Sequence, residues 1–232
     1  MLTAIIVAAG SSHRMGFDKL FALLSGKTVL IHSIEAFERT KSVDEIVVVG
    51  RTDRLGELEE IVRSNNCSKV REIVPGGLHR QDSVRIGLAR ASSSAEFVAV
   101  HDAARPLITS DQIERVFEVC REHGGAALAE PITDTVKRAS EEGFVCESVE
   151  RDLLYAMQTP QIFRRAQLEQ AYAAIIAGKI LVTDEVSALQ HLGHRVVIVP
   201  NEEHNFKITY PADLPLAEFV ISQRQGGVGV GV

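Results

Sequence analysis

Cysteine is scarce in this chain: of 232 residues only Cys67, Cys120 and Cys146 carry a thiol. They stand far apart without paired ligand spacing, which argues against a disulfide framework or a zinc site and points to a cytoplasmic setting. Long hydrophobic runs are missing too. No apolar stretch approaches the roughly 20 residues that span a bilayer, so no membrane segment is expected. The opening MLTAIIVAAG has no basic leader and reads as a first buried strand rather than a signal peptide. Positive charge is not in excess. A formal net charge of −6 argues against a general nucleic-acid surface, so basic ligands for an anionic substrate must be concentrated locally. There is no Walker loop, no G-x-G-x-x-G fingerprint and no recognisable serine or cysteine nucleophile motif. His191 and His194 flank Gly193, a pattern of a helix end rather than of a metal pair. No internal repeat is visible.

What is present is an alternation. Apolar, β-rich runs at 4–8, 45–49, 70–74, 97–100 and 126–129 are separated by segments of helical period. The stripe Leu30, Ile34, Phe37 marks one such helix, and 55–62 and 79–90 read as two more. Ser110 is read as the cap of a further helix with the stripe Ile113, Val116, Phe117 and Cys120. Such alternation predicts an α/β fold: a mixed, mainly parallel sheet flanked by helices. Near-continuous apolar strands such as AIIVA and IVVV suit a sheet covered on both faces. From Pro131 to Leu154 the pattern changes to two short strands around a turn at Glu142-Gly143, read as a protruding β-arm. An exposed hairpin needs cover, and a partner subunit is the natural source. Helices follow at 165–177 and 184–191, the latter with Asp184 as cap and Glu185 as a first-turn acid. A strand at 196–199 and a helix near 212–221 close the series. Residues 1–225 thus form one domain, and the glycine-rich tail 226–232 is expected to be disordered.

Four motifs sit mostly after strands, where open α/β sheets bind ligands. In Ala8-Ala9-Gly10-Ser11-Ser12-His13-Arg14-Met15-Gly16, small residues let backbone N–H groups approach an anion, with Arg14 and Lys19 as adjacent cations. The alternative is a plain turn with surface charges. Pro75-Gly76-Gly77 leads into a helix start bearing Ser83, which suits a polar base or simply caps a helix. Asp102 follows a strand and precedes Arg105. The carboxylate can hold a divalent cation and the arginine a phosphate, or the two can pair to fix the loop. Lys207 lies in an apolar-alternating stretch, Asn205 to Thr209. It is costly if inward-facing without an anion, and otherwise a solvent-facing lysine on an edge strand.

Together the motifs AAGSSHRMG, PGGLHRQDSV, VHDAARPLI, DTVKR, MQTPQIF, TDEVSAL and NFKITYPADLPLAEF resemble the 2-C-methyl-D-erythritol 4-phosphate cytidylyltransferases over nearly the whole chain. The resemblance implies a nucleotide-binding α/β domain, a homodimer joined through the β-arm, and Mg²⁺ as cofactor. It implies CTP and a small sugar-alcohol phosphate as substrates, with neither nucleic acid nor membrane as a partner. The implied reaction joins CMP to methylerythritol phosphate with release of pyrophosphate, in the non-mevalonate route to isoprenoids. Carried over by position, Ala8, Ala9 and Gly10 line the nucleotide, while Gly76, Gly77 and Ser83 recognise cytosine. Arg14, Lys19 and Lys207 are the catalytic cations. Asp102, Arg105, Thr135, Arg151 and Thr159 serve the acceptor, Asp102 also the metal, and Arg151 and Thr159 match arm-side positions that reach the neighbouring subunit's substrate. Asp18 stands before Lys19 where the family usually has proline. A ribitol-5-phosphate cytidylyltransferase is the nearest alternative, and a non-catalytic CTP-binding dimer a distant one.

Overall fold

A computed structural model describes residues 1–10 and 15–225. Arg14 and the tail 226–232, with the expectations placed on them, lie outside the described residues. The central sheet has seven strands: β1 (Leu2–Ala8), β4 (Val43–Gly50), β5 (Val70–Pro75), β6 (Phe97–Asp102), β7 (Gly125–Pro131), β10 (Tyr155–Arg164) and β11 (Val197–Pro200). Their spatial order is β11-β7-β10-β6-β1-β4-β5. All pairs are parallel except those that β10 makes with β6 and β7. The mixed, mainly parallel sheet is therefore as expected. The minor strands β2 (Leu23–Leu24) and β3 (Lys27–Thr28) make a small hairpin.

β10 has no counterpart in the sequence reading. Its run YAMQTPQIFR carries two glutamines and a proline, so neither alternation nor an apolar run identifies it. Its pairing with β7 breaks between Met157 and Gln161, a bulge that lets Gln158 and Thr159 leave the ladder.

Alternate residues on each strand feed two cores. Ala4, Ile6, Ile46, Val48 and Ala99 face one cluster, while Ile5, Val47, Val49, Val98 and Val100 face the other. Helices α1 (Val29–Arg39), α2 (Leu55–Ser64), α4 (Ser110–His123) and α7 (Asp213–Gln225) cover the first face. Helices α3 (Arg80–Arg90), α5 (Arg165–Ala177) and α6 (Glu185–His191) cover the second. The stripe Leu30, Ile34, Phe37 is fully buried, as its spacing predicts. The cap of α4 is Thr109 rather than Ser110: the Thr109 hydroxyl accepts from Gln112 N while the Gln112 side chain accepts from Thr109 N. Ser110 instead donates to Ala36 O at 3.1 Å. Asp184 caps α6 as expected, accepting from Ser187 N at 3.0 Å. None of the described helices is long and apolar enough to cross a membrane.

Between β7 and β10, strands β8 (Val136–Ala139) and β9 (Val145–Val149) form a separate antiparallel hairpin. Its turn falls at Gly143, where φ is +88°, a conformation glycine adopts without steric cost. Ser140 N donates to Phe144 O across the turn. Phe144 and Val145 on this hairpin, and Leu153 just beyond it, are 74%, 68% and 89% exposed.

Candidate active site

β1, β4, β5 and β6 run in one direction, so Ala8, Gly50, Pro75 and Asp102 end along one edge of the sheet. A cavity of about 410 Å³ opens there, lined by Ala8, Ala9, Gly10, Lys19, Gly77, Ser83, Asp102 and Lys207, among others. A second, of about 540 Å³, is lined by Arg105, Thr159, Thr183 and Asp184, among others. Arg80, Asp102 and Lys207 border both, forming a shared wall.

The first cavity depends on close backbone approach. Gly76 N donates to Gly50 O at 2.7 Å, joining the ends of β4 and β5. A Cβ on Gly76 would stand 2.4 Å from Ala9 Cβ and 2.8 Å from Ser83 Oγ. Only glycine lets the two loops meet. Ser83 is nearly fully buried at the start of α3. Its hydroxyl accepts from Gly77 N at 3.2 Å and donates to His79 O at 3.3 Å, which ties the loop to the helix. Asp82 Oδ2 accepts from His79 N and caps the same turn.

Lys19 opens a short 3₁₀ turn, 19–21, whose cap is Asp18, accepting from Leu20 N. Asp18 also pairs with Arg51 and Arg54 at 3.5 and 3.8 Å, which ties this turn to the segment after β4. Lys19 Nζ donates to Ile208 O at 2.6 Å. Ile208 N in turn donates to Ala104 O at 2.8 Å. The segment 205–209 is no edge strand. It is an irregular strip held beside the end of β6, and Lys207 turns inward to Asp102 Oδ2 at 2.7 Å.

Asp102 is the electrostatic centre. Arg80 Nε meets its Oδ1 at 3.0 Å, and Lys207 holds the other oxygen. Burial by itself would raise this carboxyl, but the charges of Arg80 and Lys207 outweigh it and hold it well below the usual carboxylate range. Thr159, expected on the arm side, is instead buried in β10 within its own chain: Asp102 N donates to its Oγ1 at 3.1 Å, and the same hydroxyl lies 3.0 Å from His101 Nδ1. His101 is wholly buried, stacked at a tilt on Phe37, and burial lowers its pKa to about 3. It is a neutral structural ring.

Arg105 does not pair with Asp102. Its guanidinium donates to Asn205 O at 2.8 Å and Met157 O at 3.3 Å, clamping the Lys207 strip to β10. Asn205 and Asn201 Nδ2 groups both donate to Gln158 Oε1, extending that clamp with buried amides. Thr135 and Arg151 lie exposed on and beside the hairpin and line neither cavity of their own chain. Arg151 donates to Thr133 O.

One residue of the wall, Arg80, and one behind it, Glu185, have no site role in the sequence reading. Arg80 is the first residue of α3, directly after the glycine loop. That position, a cation at the mouth of a candidate anion site, was the available signal. Glu185 reads in sequence as a first-turn acid of α6; it is fully buried and takes Arg80 Nη1 at 2.7 Å.

The match to known proteins runs the length of the chain. The family model of 2-C-methyl-D-erythritol 4-phosphate cytidylyltransferase (IspD) matches residues 2–223. The protein of that name from Alkaliphilus metalliredigens is 37% identical over 97% of this chain and 95% of its own. Its namesake from Dehalococcoides mccartyi (strain CBDB1) is 40% identical over 95% and 96%. Among solved structures, the 4-diphosphocytidyl-2C-methyl-D-erythritol synthase of Anaerococcus prevotii superposes with a TM-score of 0.84 at 28% identity, covering 95% of this chain and 96% of that one. A fold that agrees to this degree, and a sequence that agrees from β1 into α7, leave one assignment: the chain belongs to the 2-C-methyl-D-erythritol 4-phosphate cytidylyltransferase family.

Proposed function

We infer that this protein transfers CMP from CTP to the phosphate of 2-C-methyl-D-erythritol 4-phosphate, releasing pyrophosphate, as a step of non-mevalonate isoprenoid synthesis. The observation that carries the reading is the shared wall of Arg80, Asp102 and Lys207 between two cavities, in a chain of this family. CTP takes the cavity of the glycine loops and the acceptor takes the other. The acceptor phosphate is ionised at neutral pH, so its oxygen attacks the α-phosphorus without a general base. The new P–O bond forms in line as the bond to the β-phosphate breaks, and pyrophosphate leaves with the electron pair. Catalysis is then positioning and charge stabilisation.

Lys19 and Lys207 offset the repulsion of two polyanions, and Arg14 completes the set. Lys207 is held by Asp102 and can pass from that carboxylate to an incoming phosphate oxygen. The backbone of Ala8, Ala9 and Gly10 faces the nucleotide, and Gly76, Gly77 and Ser83 shape the base site. Arg105 and Thr159 border the acceptor cavity.

Asp102 is the single carboxylate among the described residues that line the first cavity. The described residues hold no cluster of three or more His, Cys, Asp or Glu fit for a metal. This donor set suits Mg²⁺, which binds through one or two carboxylates and completes its shell with water and substrate phosphates. Asp102 would be its protein ligand, and the ion would supply charge neutralisation at the phosphates.

The hairpin 136–149 would pack on a second copy, covering Phe144 and Val145 and carrying Thr135 and Arg151 towards the partner's acceptor cavity. Three free thiols suit the cytoplasm. Pyrophosphate release is the test, with CTP and Mg²⁺ and with methylerythritol phosphate and ribitol 5-phosphate offered in parallel. A strong preference for methylerythritol phosphate is expected. A preference for ribitol phosphate would move the protein to another pathway, and silence with both acceptors would refute the reading.

A further inference from the structure

Glu185 lines neither cavity and is fully buried, yet it is the second anchor of the wall. A carboxylate out of reach of solvent and substrate is costly to bury. Its Oε1 accepts from Arg80 Nη1 at 2.7 Å and from the Tyr172 hydroxyl at 3.0 Å. Oε2 accepts no hydrogen bond among the described residues.

Local helix chemistry does not account for this charge. Asp184 already caps α6. Gln161 Oε1 already accepts from Glu185 N and Val186 N at 3.1 and 3.2 Å. Nor is the Glu185–Arg80 pair needed to join the segments. Gln81, next to Arg80, accepts from Val182 N at 2.9 Å and donates to Ile180 O at 3.3 Å, so the start of α3 stays stitched to the 180–182 loop without it.

What the Glu185 carboxylate does specifically is fix Arg80. A guanidinium left to itself takes a carboxylate with two parallel N–H bonds. Here Arg80 gives Asp102 only Nε; Nη2, the second donor of such a fork, makes no bond to Asp102, and the Nη1 bond to Glu185 fixes the plane in which the guanidinium lies. Oδ2 of Asp102 is thereby left to Lys207. Were Arg80 to swing into the two-bond fork, it would take that oxygen and release the lysine.

We propose that Glu185, supported by Tyr172, is a positioning residue that holds Arg80 in one-bond contact with Asp102 and so keeps Lys207 placed for the transferred phosphoryl group. The proposal rests on the cytidylyl-transfer reading above. Because Glu185 acts only through Arg80, its removal changes nothing further once Arg80 is gone.

The experiment is a double-mutant cycle on steady-state turnover, with a spectroscopic readout beside it. Glu185→Gln keeps the side chain's shape and should lower kcat about 10-fold or more while the KM for CTP stays within about threefold. Arg80→Ala/Glu185→Gln should match Arg80→Ala alone within about twofold. The Arg80 Nε–H resonance, assigned by its loss in Arg80→Lys, should be sharp in the wild type and broadened or shifted in Glu185→Gln. Wild-type kcat in folded Glu185→Gln, or losses that multiply in the double variant, would overturn the proposal. If Glu185→Gln does not fold, Tyr172→Phe removes one donor from the same oxygen and leaves the ion pair intact. It should lower kcat a few-fold and disturb the same resonance, and no change in either would equally overturn it. A wild-type protein silent towards methylerythritol phosphate would sink the proposed function instead, and the Nε–H signal would still decide whether Glu185 anchors Arg80.

Discussion

Gly76→Ala tests how the nucleotide cavity is built. An ideal Cβ there stands 2.4 Å from Ala9 Cβ, 2.8 Å from Ser83 Oγ and 3.4 Å from Gly50 O. Carbon atoms in ordinary contact lie about 3.5–4.0 Å apart, so the overlap with Ala9 exceeds an ångström. Ala9 Cβ is fixed to the backbone and cannot rotate away. Ser83 Oγ is held by Gly77 N and His79 O. Relief must therefore come from moving one loop. Overpacking of this kind costs about 1–3 kcal/mol, which in a domain of this size lowers Tm by roughly 2–12 °C. The displaced loop is the cavity wall, and a shift of that order costs about 100-fold in a positioned site. Steady-state turnover and a thermal melt read the two effects. Gly56→Ala in α2 is the control, since its Cβ meets nothing within 4 Å. It should leave stability unchanged or raise it by about 0.4–1 kcal/mol. A Gly76→Ala protein that turns over within twofold of wild type at an unchanged Tm would refute the reasoning.

Lys19→Ala and Lys207→Ala should each lower kcat about 100-fold or more, the loss typical of a removed oxyanion donor; near-normal kcat in either folded variant would remove that lysine from the mechanism. Stability should fall with acid through His101. Its pKa is about 3 in the folded protein and about 6.5 unfolded, so the unfolded chain binds the extra proton across that window. The contribution is complete above about pH 6.5 and is lost as pH falls towards 3, at up to about 1.4 kcal/mol per pH unit. Asp102 adds to the loss from the usual carboxylate range downwards, since its folded pKa is depressed and the unfolded chain takes up that proton first. His101→Gln should flatten the slope of urea-melt stability between pH 6 and 4, and an unchanged slope would clear His101. Arg151→Ala should impair use of the acceptor, and mixed dimers with Lys207→Ala should recover part of the activity; no recovery would argue against a site shared between subunits.

Periodicity alone determined the α/β class and most element positions, because apolar strands and amphipathic helices must bury their faces whatever the topology. Residues 165–177 were read as a helix and are one, and the turn at Gly143 was legible from its composition. The order of motifs determined the family. Three things were decided only by the tertiary structure. β10 takes its place as the antiparallel strand between β6 and β7 through long-range pairing, which a run holding Gln158, Pro160 and Gln161 does not announce. Arg105 faces two main-chain carbonyls rather than Asp102, because the strip 205–209 arrives beside β6 from about 100 residues away. Glu185 shows the same limit: next to Asp184 in sequence it is one more acid at a helix start. Only the approach of the start of α6 to the start of α3 in the folded chain brings its carboxylate to Arg80, since charge pairing across a fold depends on which surfaces meet, and local sequence carries no record of that.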